Sequence, residues 1–228
     1  VPLIITFTVF LLIAIQPDLG TALILLILGC AMIFFIGIRL IYPILIALLM
    51  IALSPFFWTF LKPYQQSRIK TFLNPDLDPL GRGYHIIQSK IAIGSGGTRG
   101  NGFLGGSQSS LDFIPEKETD FVFSIFAEQF GFTGSLILIT LFILLIIIPI
   151  IKSINIQNTF VKLVILGLSV KLLIEVFINI SMTLGILPVV GVALPFMSYG
   201  GSSLLSNMII CALIMNFMSV EKKAKYFR

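Results

Sequence analysis

Six apolar runs organise the chain, at residues 1–15, 21–38, 41–61, 121–151, 160–187 and 204–220. A helix crosses a bilayer with roughly 20 predominantly apolar residues. The pattern therefore predicts an all-α fold, a polytopic membrane helical bundle of about six transmembrane helices. Residues 1–228 read as a single membrane domain, and the polar interval 62–120 reads as a large extracytoplasmic loop within it. The chain opens on Val1, already inside an apolar run shorter than a full span, so an N-terminal truncation is expected. No basic start with an apolar stretch and a small-residue cleavage site marks a signal peptide.

Composition excludes a soluble domain. Residues of the AVILMFWYC set make up 57% of the chain and charged residues only 11%, against about 25% charged in soluble domains. The mean hydropathy is +1.06. Cys30 and Cys211 lie inside apolar runs, where a thiol is a small apolar side chain and argues for neither redox chemistry nor a metal. The net charge of +5 sits in short flanks and one loop, with no basic stripe, so no nucleic-acid partner is expected.

Arg39, Lys152, Lys162 and the basic tail fall on one side of six alternating spans. The positive-inside rule makes that side the cytoplasm of a multi-pass protein in a bacterial cytoplasmic (inner) membrane. The long loop, the Gln16-Pro17-Asp18-Leu19-Gly20 turn and the 188–203 connection are then outside. Three polar segments converge there, where loops on a rigid bundle can build a site.

Glu116, Glu118 and Asp120 crowd into five residues at the mouth of the fourth span. Like charges this close oppose one another's ionisation and can prepare a general base. The structural alternative is a helix start capped by Thr119 or Asp120. Residues 94–106 contain seven glycines. Their formal match to a dinucleotide fingerprint lacks the strand and helix such a motif needs. Tight turns account for them; a backbone nest for a diphosphate, with Arg99 beside it, is the functional alternative. Asp18 is either a cap of the second span or a wall of the outer cavity. Lys171 and Glu175, at i and i+4, are expected to neutralise each other. His85, the sole histidine, is expected to be a loop hydrogen-bonder.

Several segments together resemble the SEDS (shape, elongation, division and sporulation) membrane glycosyltransferases. They are Gln16-Pro17-Asp18-Leu19-Gly20-Thr21-Ala22, Asp78-Pro79-Leu80-Gly81, Gly83-Tyr84, Gln88-Ser89, residues 92–97, Pro115-Glu116-Lys117, Thr119-Asp120-Phe121, and Leu194-Pro195-Phe196-Met197-Ser198-Tyr199-Gly200-Gly201-Ser202-Ser203. Leu187-Pro188-Val189-Val190-Gly191 is more similar to the rod-shape branch than to the division branch. Glu118 departs from that branch, which usually shows histidine there. The resemblance implies about ten spans of roughly 20 residues each, the six here being the last six.

It also implies polymerisation of lipid II into glycan strands during cell elongation, with Asp120 as the catalytic residue. The implied partners are lipid II, the growing undecaprenyl-diphosphate-linked glycan, membrane lipids and a class B penicillin-binding protein. Asp120 would take a proton from an acceptor sugar hydroxyl. The diphosphate leaving group would need a divalent cation, Mg or Mn, or a loop cation from among Arg68, Lys70, Arg82, Arg99 and Lys117. No organic cofactor is expected. Glu116, Lys117, Thr119, Asp18, Arg99 and Arg82 are the supporting candidates. Two rival classes remain: a lipid II flippase lined by Lys171, Glu175 and Glu128, and a non-catalytic scaffold for a penicillin-binding protein.

Overall fold

The computed structural model describes residues 2–16, 19–37, 41–53, 56, 59, 62–78, 81–103, 105–106 and 118–226. Helices α1 (Pro2–Ile15), α2 (Leu19–Phe35) and α3 (Ile41–Ala52) form the first part. Helices α4 (Pro63–Leu73) and α5 (Arg82–Ser95) follow, with a 3-10 turn over Pro75–Leu77 between them. The last part comprises α6 (Val122–Ile154), α7 (Thr159–Thr183) and α8 (Gly201–Tyr226). No strand occurs among the described residues. This is a polytopic all-α membrane fold.

Among the described residues, three helices are long and apolar enough to cross a membrane: α6, α7 and the first 19 residues of α8. Helices α1 and α2 are as apolar but have 14 and 17 residues. Outward-facing side chains such as Ile137 (63% exposed) would be a large unstable patch in water, and face lipid without penalty.

Helix α7 is the hub, packing on α2, α5, α6 and α8. Its residues Val161, Ile165, Leu172 and Val176 meet Phe142 and Ile146 of α6 and Ile210 and Ile214 of α8. On its other side Val170 and Ile174 meet Ile24 of α2. Lipid tails are as apolar as these side chains, so close packing and polar contacts hold the bundle rather than escape from water. One polar contact is Lys171 Nζ, which donates to Glu175 Oε2 at 2.7 Å and to Asn207 Oδ1 of α8 at 2.9 Å. The expected mutual neutralisation is thus present, extended to a neighbouring helix.

The polar interval contains more helix than its composition suggested. Helix α5 presents Ile86, Ser89 and Ala92, all buried, at helical spacing toward the bundle. Ser89 Oγ donates to the carbonyl of Thr183 at 2.7 Å and lies 2.6 Å from Ser124 Oγ. A serine hydroxyl carries one proton, so Ser124 is the donor between the two. One side chain thereby satisfies an otherwise orphaned C-terminal carbonyl of α7 and links α5 to α6.

Helix α6 breaks at Gly131, whose φ of 64° and ψ of −164° are open only to glycine. The glycine-rich segment after α5 lies along the break. Asn101 N and Gly102 N donate to Glu128 O and Gln129 O, while Phe132 N and Thr133 N donate to Gly97 O and Thr98 O. Gly96 N, Gly97 N, Gly100 N and Gly105 N also donate to nearby carbonyls. Amides engaged in this way are not aimed at a ligand, so the nest alternative gives way to packing against α6. The fully buried Glu128 carboxylate lies beside Gly106.

Candidate active site

Asp120 stands half-buried where α6 begins, at the bundle end where α7 finishes and α8 starts. The N-cap of α6 is Phe121, which makes no side-chain cap bond. The turn that precedes it is held from another direction.

Three successive carbonyls are clamped. Glu118 O accepts from Tyr199 N at 2.7 Å, Thr119 O from Ser198 Oγ at 2.6 Å, and Asp120 O from Asn179 Nδ2 at 3.0 Å. The Ser198 hydroxyl also accepts from Leu194 N at 2.7 Å. The Leu194-Pro195-Phe196-Met197-Ser198-Tyr199 motif thus folds as a tight turn that grips the backbone around Asp120. Phe196 is held at a φ of 63°, strained for a bulky residue. Such a conformation persists when its surroundings over-determine it, and the bonds to Leu194 and Ser198 do so.

With its main chain fixed, the Asp120 carboxylate faces Gly191. A Cβ at Gly191, where φ is 77°, would lie 3.5 Å from Asp120 Oδ2. Val190 O approaches Gly20 at the start of α2, where a Cβ would be only 2.6 Å away. The start of α2 therefore meets the 187–200 segment, which in turn meets the mouth of α6 at this carboxylate.

An apolar cavity of about 490 Å³ adjoins the same place, lined by Gly20, Leu23, Phe177, Pro188 and Val190 among others. On the other side Arg68 of α4 borders a small cavity with Thr71, Ile86 and Val189. The His85 ring packs 6.1 Å from the ring of Phe121. Its Nδ1 is buried with no hydrogen-bond partner, so packing replaces the expected hydrogen-bonding role at that atom.

The supporting candidates separate. Thr119 contributes its carbonyl to the clamp. Arg99 is exposed, and its backbone lies against Gly131 in the glycine-rich segment. Arg82 begins α5, and its side chain is outside the described residues, as are Asp18, Glu116 and Lys117. Asn179, Ser89 and Ser124 were missed from the sequence. For Asn179 and Ser124 the legible signal is a polar residue inside an otherwise apolar run, which membrane burial makes costly unless it is bonded; Ser89, in the polar interval, carries no such signal.

The family profile described as cell cycle protein, covering FtsW, RodA and SpoVE, matches residues 1–223. The chain belongs to this family. Among curated relatives, this FtsW/RodA/SpoVE member is 45% identical to peptidoglycan glycosyltransferase MrdB of Escherichia coli K12, over 97% of the chain and 60% of that protein. It is 45% identical to peptidoglycan glycosyltransferase RodA of Treponema pallidum, over 68% of the chain and 36% of that protein. Stage V sporulation protein E of Bacillus subtilis is 39% identical, over 97% of the chain and 59% of its own length. The rod-shape resemblance of the 187–191 segment agrees with the first two.

The FtsW/RodA/SpoVE chain also superposes on a solved structure described as "Structural coordination of polymerization and crosslinking by a peptidoglycan synthase complex". That likeness has a TM-score of 0.77 and 34% identity, over 96% of this chain and 60% of that one. Thermus thermophilus RodA matches with a TM-score of 0.64 and 26% identity, over 96% of this chain and 56% of that one. The chain thus spans about 60% of the length of the first curated relatives it matches.

Proposed function

We propose that the protein is a peptidoglycan glycosyltransferase of the elongation type, polymerising lipid II on the extracytoplasmic face of the bacterial inner membrane. The observation that carries the reading is the Asp120 carboxylate, fixed through its backbone at the bundle end and directed toward Gly191. Relatives 45% identical to the chain are named for this activity.

Asp120 acts as general base, taking the proton of an acceptor sugar hydroxyl as that oxygen attacks the anomeric carbon of the lipid-linked donor. The new glycosidic C–O bond replaces the anomeric bond to the diphosphate, which leaves on its polyprenyl carrier with the charge it gains. Arg68, whose cavity is shared with Val189 two residues from Gly191, is the proposed loop cation that offsets that charge. The apolar cavity beside Val190 suits a polyprenyl tail whose sugar lies at Asp120.

Among the described residues no group of three His, Cys, Asp or Glu could hold a resident metal ion. Mg or Mn would accompany the substrate's diphosphate as its counter-ion. A class B penicillin-binding protein is the proposed partner, which the peptidoglycan synthase complex among the structural neighbours supports. The flippase alternative loses support because Lys171 and Glu175 neutralise each other and Lys171 also donates to Asn207.

The test is lipid II polymerisation by the full-length protein with its class B partner, wild type against Asp120→Asn. Glycan strands from wild type and none from a folded Asp120→Asn variant are expected; equal product from both would overturn the reading.

A further inference from the structure

Asn179 lies in α7, four residues before its end, with no exposed surface. Its Nδ2 donates to two carbonyls from different segments, Asp120 O at 3.0 Å and Val192 O at 2.7 Å. Val192 follows Gly191, which faces Asp120 Oδ2. A closed circuit results, running from Asn179 through the Asp120 main chain and carboxylate to Gly191, then through Val192 back to the same nitrogen. Both walls of the gap in front of the carboxylate hang from one amide.

Oδ1 of Asn179 is buried with no hydrogen-bond partner. A buried, unsatisfied amide oxygen is unfavourable and calls for an explanation. Turning the amide round would set Oδ1 against two carbonyl oxygens, so the partners dictate its orientation. A hydroxyl would avoid the orphaned oxygen, but it carries one proton and could serve one carbonyl only. The primary amide is the compact neutral group with two N–H bonds on one atom.

We infer that Asn179 is a positioning residue of the active site: through the backbones of Asp120 and Val192 it sets the gap between the carboxylate and Gly191. It acts without touching substrate, and the inference rests on the reading of Asp120 as general base.

The test uses the full-length protein with its class B partner and compares wild type, Asn179→Ser, Asn179→Asp and Asp120→Asn. Turnover of lipid II is measured against its concentration, and thermal unfolding is followed alongside. Ser keeps one donor and ionised Asp keeps none. Misplacement of a catalytic group by about 1 Å can lower turnover about 100-fold. The expected result is therefore a kcat about 10-fold lower for Ser and about 100-fold lower for Asp, with KM within about twofold.

Wild-type kcat from the folded fraction of both Asn179 variants would overturn the inference, leaving Asn179 a packing residue. Failure of both variants to fold would also overturn it, by showing that the amide holds the bundle rather than the gap. Asp120→Asn separates the two ideas. If that variant is inactive while the Asn179 variants turn over normally, only the positioning role falls; if it is active, the general-base reading falls and the positioning role with it.

Discussion

Asp120 Oδ2 faces Gly191 at a separation that admits one carbon atom in van der Waals contact, 3.5 Å from a Cβ placed there. At Gly191 the carboxylate meets backbone that carries no side chain. Under the proposed mechanism an acceptor sugar would approach Asp120 there, through space that a side chain at Gly191 would take away.

Gly191→Ala should lower polymerisation at least tenfold, because the methyl occupies the space in front of the carboxylate. The same change should cost about 1–2 kcal/mol of stability, the penalty for an L-residue at positive φ. Glycan yield per folded protein, read beside thermal unfolding in detergent, checks both parts. Unchanged yield would mean that the acceptor approaches Asp120 from another side.

Ser89→Ala should destabilise by about 1–3 kcal/mol, since the buried Thr183 carbonyl loses its donor. Ser124→Ala should cost less, because its hydroxyl donates only to Ser89. In a double-mutant cycle the two effects should fall short of additive by about 0.6 kcal/mol or more, the usual worth of an interhelical hydrogen bond in membranes. Strict additivity in thermal unfolding would mean that the two hydroxyls do not interact.

Removing one partner of the Lys171–Glu175 pair should be worse than removing both. Lys171→Met leaves a carboxylate uncompensated inside the bundle, a change of about 3–5 kcal/mol when such a pair is fully buried. These side chains are 21% and 17% exposed, so the low end of that range is expected. The Lys171→Met, Glu175→Gln double variant should recover most of the loss, as measured by unfolding in detergent. A double variant worse than Lys171→Met alone would refute the pairing argument.

Two glycines of the same region should respond in opposite directions. Gly131→Ala should destabilise by about 2 kcal/mol or more, for its backbone angles exclude a side chain and a Cβ would lie 2.8 Å from Arg99 N. Gly94→Ala, inside α5 with nothing within 4 Å of the added carbon, should stabilise by about 0.4–1 kcal/mol. Thermal unfolding of the two variants makes the comparison, and equal responses would argue against the break in α6.

The sequence by itself determined the class of fold, because lipid imposes a constraint that can be read one residue at a time. A run such as 160–187 must be helical to satisfy its own backbone, whatever its neighbours are. The sequence also marked Asp120 as a candidate, through three carboxylates at a span mouth and the motifs around them. It gave helix α5 no such mark: a small buried stripe of Ile86, Ser89 and Ala92 has meaning only once α6 and α7 are beside it.

Only the tertiary structure decided what surrounds Asp120. Asn179 lies 59 residues from Asp120 and 13 from Val192 along the chain, and no local period connects them. The clamp from the Ser198 hydroxyl and the Tyr199 amide is likewise a long-range contact to main-chain carbonyls. Backbone carbonyls are the same in every residue type, so a hydrogen bond to one leaves no trace at the accepting position. Only side-chain donors such as Asn179 and Ser198 are visible in the sequence, and packing alone assigns them their partners.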